Sequence, residues 1–312
     1  MNSFNVAKQG AGRYVVGREI WHRCSQKSEA MRPHIRMKKF SLKKTVGPDD
    51  PKTVIEFLAS HSSISKVRIK DAMIKGAVWL KKTRGKQYRI RRATMVLKPH
   101  DQLAFYYDEK LLALKPPAAV CISDQKRYSV WFKPAGLMTQ GTGYGDHCAL
   151  LREAELFFKN KRKVFLVHRL DREAAGIVLV AHDKEAAGKL SRLFQNRSIV
   201  KHYRVQVLGN LAEKNPEGII RIPLDGRPAE TEYTVGEYDP TSDTTKVDVI
   251  IRTGRKHQIR RHFEMIGFPV MGDPRYGAGN KNTSGLKLIA TALEFDCPIS
   301  GKYRVFKSPT SS

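Results

Sequence analysis

The 312-residue sequence contains no run of 18 consecutive apolar residues, so no transmembrane helix is expected. No apolar stretch follows Met1–Asn5 either, and a secretory leader is not expected. Cysteine is scarce. Cys24, Cys121, Cys148 and Cys297 stand far apart, at no metal-ligand spacing and in no disulfide pattern, so the expected setting is the reducing cytoplasm. His257 and His262 are wrongly spaced for a helical zinc pair, and metal chemistry is not expected. The third shortage is of acid: 30 Asp and Glu face 57 Lys and Arg, a formal net charge of +27. An excess of that size calls for a polyanionic partner, because each cation placed on a phosphate releases a counterion. Charge alone does not separate RNA from DNA or from an anionic membrane.

What is present is organised around residues 164–181. Two apolar runs, Val164–Val167 and Ile177–Ala181, have the length and β-branched content of buried strands. Between them lies a charged turn, His168-Arg169-Leu170-Asp171-Arg172-Glu173, closed by Gly176. In extended backbone Arg169 and Asp171 point the same way while Leu170 points into the core. The alternative reading of the turn alone is a surface loop with an incidental ion pair.

The neighbouring blocks extend the pattern. His168-Arg169-Leu170-Asp171 with its following glycine and strand resembles the signature of the RluA-type pseudouridine synthases. So do Lys133-Pro134-Ala135-Gly136, Lys201-His202-Tyr203-Arg204-Val205, Thr253-Gly254-Arg255-Lys256-His257-Gln258-Ile259-Arg260 and Gly272-Asp273-Pro274-Arg275-Tyr276-Gly277, in the family's order. One departure stands out. The family commonly carries Thr-Ser before the glycine of the turn, where this chain has Ala174 and Ala175, so two hydroxyls that could hold the turn or touch a phosphate are missing.

In chain order, residues 1–48 are rich in Arg and Lys and poor in apolar periodicity, which reads as a mostly disordered basic arm. Residues 49–109 read as two short helices, the first at Val54, Phe57 and Leu58 and the second capped by Ser65, followed by short strands. This pattern looks like the S-four-like RNA-binding module, with Lys66, Arg68, Lys70, Lys81, Lys82 and Arg84 as its RNA-binding cations; a generic basic subdomain is the alternative. Such a module should contribute affinity rather than chemistry, since it holds no carboxylate–arginine constellation. Residues 110–125, with Pro116-Pro117, read as a linker. Gly141-Thr142-Gly143-Tyr144-Gly145 opens no helix after a strand and reads as a loop, not a nucleotide cradle. Residues 126–312 hold many short strands and few helices, among them one capped by Asp183 and one capped by Thr253. The expected fold class is α+β, a mixed, largely antiparallel central sheet with flanking helices and a cleft, in agreement with what the resemblance implies.

Pseudouridine formation cuts the uracil N-glycosidic bond, turns the base and rejoins the sugar through ring carbon-5. It needs no cofactor. A carboxylate can serve as nucleophile or as the base of a glycal route; the resemblance assigns it to Asp171. Arg255 is expected in the first turn of a helix, where a cation opposes the macrodipole unless an anion is near. Facing Asp171 it would gain about 4 kcal/mol at ~4 Å and an effective dielectric of 20; binding an RNA phosphate is its other reading. The resemblance sets Tyr203 against the target uracil and Arg169 in the gap left by the flipped base. A core tyrosine and an arginine that merely orients Asp171 are the alternatives.

The function expected is therefore an RNA pseudouridine synthase, a cytoplasmic monomer with RNA as partner and no membrane. Large-subunit ribosomal RNA is favoured over tRNA because the basic arm and module widen the cationic footprint beyond a single stem-loop. Two competing functions remain at this level: a non-catalytic RNA-binding factor of ribosome assembly, suggested by Ala174-Ala175, and a base-excising glycosylase on DNA.

Overall fold

A computed structural model describes residues 38–277, 280 and 284–309 of the chain. The first elements form the module: β1 (Lys39–Thr45), α1 (Val54–His61), α2 (Lys66–Ile74), β2 (Val78–Lys81), β3 (Tyr88–Arg89), β4 (Gln102–Asp108) and α3 (Glu109–Ala113). Both long helices start at a hydroxyl side chain, the second at the Ser65 cap expected from sequence. The Thr53 side chain accepts from the Glu56 N–H and donates to its carboxylate at 2.7 Å, and Ser65 accepts from the Arg68 N–H. Val54, Phe57, Leu58, Ile69, Ala72 and Met73 are buried against Val78, Leu80 and Phe105 of a four-stranded sheet of order β1-β4-β2-β3.

Two expected boundaries move. The basic arm does not reach residue 48, because Lys39–Thr45 pairs antiparallel with β4, from Lys39 opposite Asp108 to Thr45 opposite Gln102. Phe40 and Leu42 face the module core while Lys39, Ser41 and Lys43 face out, so a lysine-rich segment still serves as an edge strand. The rest of the arm, residues 1–37, lies outside the described residues. The linker shortens to residues 114–119, because α3 takes its beginning and β5 (Val120–Asp124) its end.

The remainder is the region expected from sequence to be catalytic. It continues with β6 (Tyr128–Lys133), α4 (Leu150–Phe157), β7 (Phe165–Leu166), β8 (Ala175–Ala181), α5 (Lys184–Gln195), β9 (Ile199–Leu208), β10 (Glu217–Ile220), β11 (Thr231–Asp239), β12 (Thr244–Ile251), α6 (Gln258–Met265), β13 (Leu288–Asp296) and β14 (Tyr303–Lys307). The ten-stranded sheet runs β10-β11-β12-β9-β13-β8-β6-β5, with β14 beside β13 and β7 beside β8. The fold is thus mixed α+β and largely antiparallel, as expected. Among the described residues the one parallel pairing between strands of the sheet, β8 with β13, spans only Ala175–Ile289 and Gly176–Ala290. Gly176 is required there: its φ is +126°, and a Cβ would lie 2.3 Å from the Ala290 carbonyl oxygen.

The helix expected from Thr253 begins instead at Gln258. His257 precedes it in the left-handed region, at φ +53°. Thr253 is occupied elsewhere: its hydroxyl donates to Gln258 Oε1 at 2.9 Å and accepts from the Glu230 N–H. Arg255 consequently lies before the helix, not in its first turn.

Candidate active site

The turn that carries Asp171 is short, exposed on one side and held from beneath by two side chains. Lys133, at the end of β6, is fully buried. Its ammonium donates to the carbonyls of Ala174 at 2.6 Å and Leu137 at 2.8 Å, and to those of Pro134 and Arg172. Burial pushes its pKa down to about 8, against the pull of Asp171 and Glu173. The Thr139 hydroxyl donates to the Leu170 carbonyl at 2.9 Å and accepts the Leu170 N–H at 3.1 Å. Ala174 is buried in the apolar cluster beneath β9, β12 and α6. The backbone of the turn therefore finds its partners in Lys133 and Thr139 despite the two missing hydroxyls. His168 is structural as well. Its Nε2 accepts the Leu179 N–H at 3.0 Å, its ring stacks on Phe194, and burial, with a smaller contribution from Lys201, lowers its pKa to about 3.

Asp171 Oδ2 accepts from Arg260 Nη1 at 2.9 Å. The same guanidinium reaches Asp273 through Nε at 2.6 Å and Nη2 at 2.7 Å. The Arg260 side chain is 1 % exposed and Asp273 is fully covered. Burial works against the arginine's charge, but the hydrogen bonds it donates to Asp273 and Asp171 outweigh it and raise its pKa. Burial likewise opposes the charge of Asp273, yet Arg260 and the N–H groups of Arg275 and Tyr276 hold its pKa below the usual carboxylate range. Asp171 Oδ1 lies 3.7 Å from His257 Nε2, beyond hydrogen-bonding distance. The His257 ring is itself fixed by Tyr276 at 3.0 Å, and burial lowers its pKa.

Asp171 opens onto a cleft of about 790 Å³ that Arg169, Tyr203, Arg255 and Lys201 also line. All four catalytic residues expected from sequence therefore share one cavity, but in different relations to the carboxylate. Leu170 is buried and Arg169 exposed, as the alternation requires. Arg169 makes no side-chain hydrogen bond or ion pair among the described residues, so it does not pair with Asp171. Tyr203 projects from the inner face of β9, with burial and the charge of Asp171 both raising its pKa, so the phenol stays neutral. Arg255 does not meet Asp171: its Nε donates to the Pro228 carbonyl at 3.1 Å. The helix starts five residues beyond Thr253, and that shift gives the carboxylate to Arg260. Lys201, two residues before Tyr203, is buried and donates to the carbonyls of Arg252 and Thr253, both at 3.1 Å.

The sequence model of the RNA pseudouridylate synthase family matches residues 127–265, which span the turn, Tyr203 and Arg260. The Escherichia coli dual-specificity RNA pseudouridine synthase RluA is 33% identical over 160 residues, covering 46% of this chain and 72% of that protein. This chain belongs to the RluA-type RNA pseudouridine synthases. The ribosomal large subunit pseudouridine synthase D of Nitrosomonas europaea is also 33% identical, over 204 residues, covering 57% of this synthase and 58% of that one. Human RNA pseudouridylate synthase domain containing 1 shares the fold, with a TM-score of 0.51 at 22% identity over 63% of this synthase and 86% of that chain. The synthase is an RNA uridine isomerase, and RNA is its substrate. Among the described residues no helix is long and apolar enough to cross a membrane.

Proposed function

We propose that this synthase converts uridine to pseudouridine in large-subunit ribosomal RNA, with Asp171 as the catalytic carboxylate. The observation that carries the reading is the Asp171–Arg260–Asp273 chain, which fixes one partly exposed carboxylate in the cleft while the rest of the chain is buried. Arg260 engages Oδ2 and leaves Oδ1 open to the ribose, as nucleophile or as base. Tyr203 packs on the uracil, and its neutral phenol brings no charge beside the carboxylate. Arg169, exposed and unpaired among the described residues, fills the space left by the flipped base. Arg255, tethered at the rim, takes a phosphate.

The module of residues 39–113 is read as an S-four-like RNA-binding module. Lys66, Lys70, Lys81, Lys82 and Arg84 are exposed on it; Arg68 is already bridged to Glu109 at 3.0 Å and contributes less. A footprint of this breadth suits a large folded RNA, and the name of the Nitrosomonas europaea relative points to the same class. The test is tritium release from RNA labelled at uracil carbon-5, combined with pseudouridine mapping in cells with and without the synthase. Wild type releases tritium, Asp171→Asn does not, and a site in large-subunit ribosomal RNA is lost with the gene. Activity in Asp171→Asn would refute the role of the carboxylate. A site lost from tRNA with every ribosomal site intact would refute the target.

A further inference from the structure

The segment between β6 and α4 joins the module to the catalytic turn. At its near end Lys133 and the Gly136 N–H hold the carbonyls of Ala174 and Arg172, just after Asp171. In its middle Thr139 brackets both backbone groups of Leu170, just before Asp171. At its far end residues 141–147 press against the module. Trp79 Nε1 donates to the Gly143 carbonyl at 2.9 Å, and Tyr144 meets Tyr106 edge-on. The Asp146 N–H donates to the Lys75 carbonyl at 2.9 Å. The Asp146 carboxylate, on a side chain 12 % exposed, takes Arg91 at 2.6 Å and Arg89 at 3.4 Å on Oδ2. Arg89 also lies over the Trp79 ring and donates to the Thr142 carbonyl. The approach is close enough that a Cβ on Gly76 would stand 2.4 Å from Asp146 Oδ1.

A module that only tethers RNA needs no partly buried ion pair with the catalytic domain. Such a pair costs desolvation and is tolerated where it fixes geometry. We propose that Asp146 with Arg91 and Arg89 is a positioning joint for the reaction: the module holds residues 141–147, which set Thr139, which sets Leu170 beside Asp171. This rests on Asp171 being the catalytic carboxylate. It also gives the module a part in turnover, beyond the affinity expected from sequence.

The test uses the full chain in excess over total RNA, labelled with tritium at uracil carbon-5 and purified from cells lacking the synthase. Varying the protein concentration separates the limiting rate constant from the half-saturating concentration. Displacing a reacting group by ~1 Å costs on the order of a hundredfold in rate, so a loosened joint should cost about tenfold. Arg91→Gln is expected to lower the limiting rate about tenfold and to change half-saturation less than about threefold. Arg91→Lys should recover most of the loss. Thr139→Val should match Arg91→Gln, Thr139→Ser should be near wild type, and the double variant should be no worse than either single one, because both act on one chain of contacts. A raised half-saturation with an intact limiting rate, or losses that multiply in the double variant, would overturn the joint. Should Arg91→Gln fail to fold by circular dichroism, Thr139→Val decides, and an unchanged limiting rate in that variant overturns it. Asp171→Asn keeps the two readings apart. If it is active, the carboxylate assignment fails; if it is inactive while Arg91→Gln and Thr139→Val match wild type, only the joint fails.

Discussion

Lys66, Lys70, Lys81, Lys82 and Arg84 of the module are exposed and form no ion pair among the described residues, whereas Arg260 in the catalytic domain is 1 % exposed and makes three hydrogen bonds to two carboxylates. The same kind of charge is thus held in two ways. A solvated cation on a flexible stem keeps its counterions until a phosphate displaces them. A desolvated guanidinium has its geometry fixed before any substrate arrives and holds its neighbour's charge in place. Under the proposed function the contrast separates two tasks: affinity for folded RNA in the first region, the position of one carboxylate in the second.

The largest effect should come from breaking the buried side. Arg260→Leu leaves Asp273 buried and unpaired, so it should destabilise the fold by about 3–5 kcal/mol and abolish tritium release. Replacing Arg260 and Asp273 together by Leu should return much of the stability and none of the turnover. A single variant as stable as wild type in urea melts would show that the chain of charges is not structural. The exposed side should respond differently. Changing Lys81, Lys82 and Arg84 together to Ser should weaken RNA binding about tenfold at roughly 0.1 M salt and reduce the log–log salt slope by up to about 2. A slope unchanged in filter binding would place the phosphates elsewhere. The smallest effect tests a buried group that must stay neutral. His168 titrates near 3 when folded and near 6.5 when unfolded, so between those values the unfolded chain binds the extra proton and stability falls as pH falls. From pH 7 to pH 5 wild type should lose on the order of 1–2 kcal/mol more than His168→Gln, read from denaturant melts at each pH.

Much of the cleft was legible because its residues alternate, in the extended turn before β8 and along β9. Leu170 buried between exposed Arg169 and half-exposed Asp171, and Tyr203 on the inner face of β9, both follow from period two. The arginine partner was misread because Thr253 looked like a cap, while the left-handed His257 delays the helix to Gln258. A signal was present. Ile259, Arg260 and Phe263 fall in one arc of α6, and an arginine on an apolar arc needs a buried carboxylate, which Asp273 in the Gly-Asp-Pro block supplies. β1 was hidden by its lysines although Phe40 and Leu42 alternate, and its partner β4 lies some sixty residues away, so no local rule announces the pairing. The contacts of Asp146 with Arg89 and Arg91 join two regions whose separate patterns say nothing about how they meet.

The place of β13 in the sheet sets an order of events during synthesis. β5, β6 and β8 form one half of the catalytic sheet and β9 to β12 the other, and β13 is the strand between them. Asp171 comes from the first half and Tyr203 and Arg260 from the second, yet the chain emerges with both halves made and Leu288–Asp296 still to come. Until that strand arrives the halves have no hydrogen-bonded seam. Pairings so distant in sequence form late. The strands of the module's own sheet, β1-β4-β2-β3, all lie within residues 39–108, so every one of them is made before the last strand of the cleft.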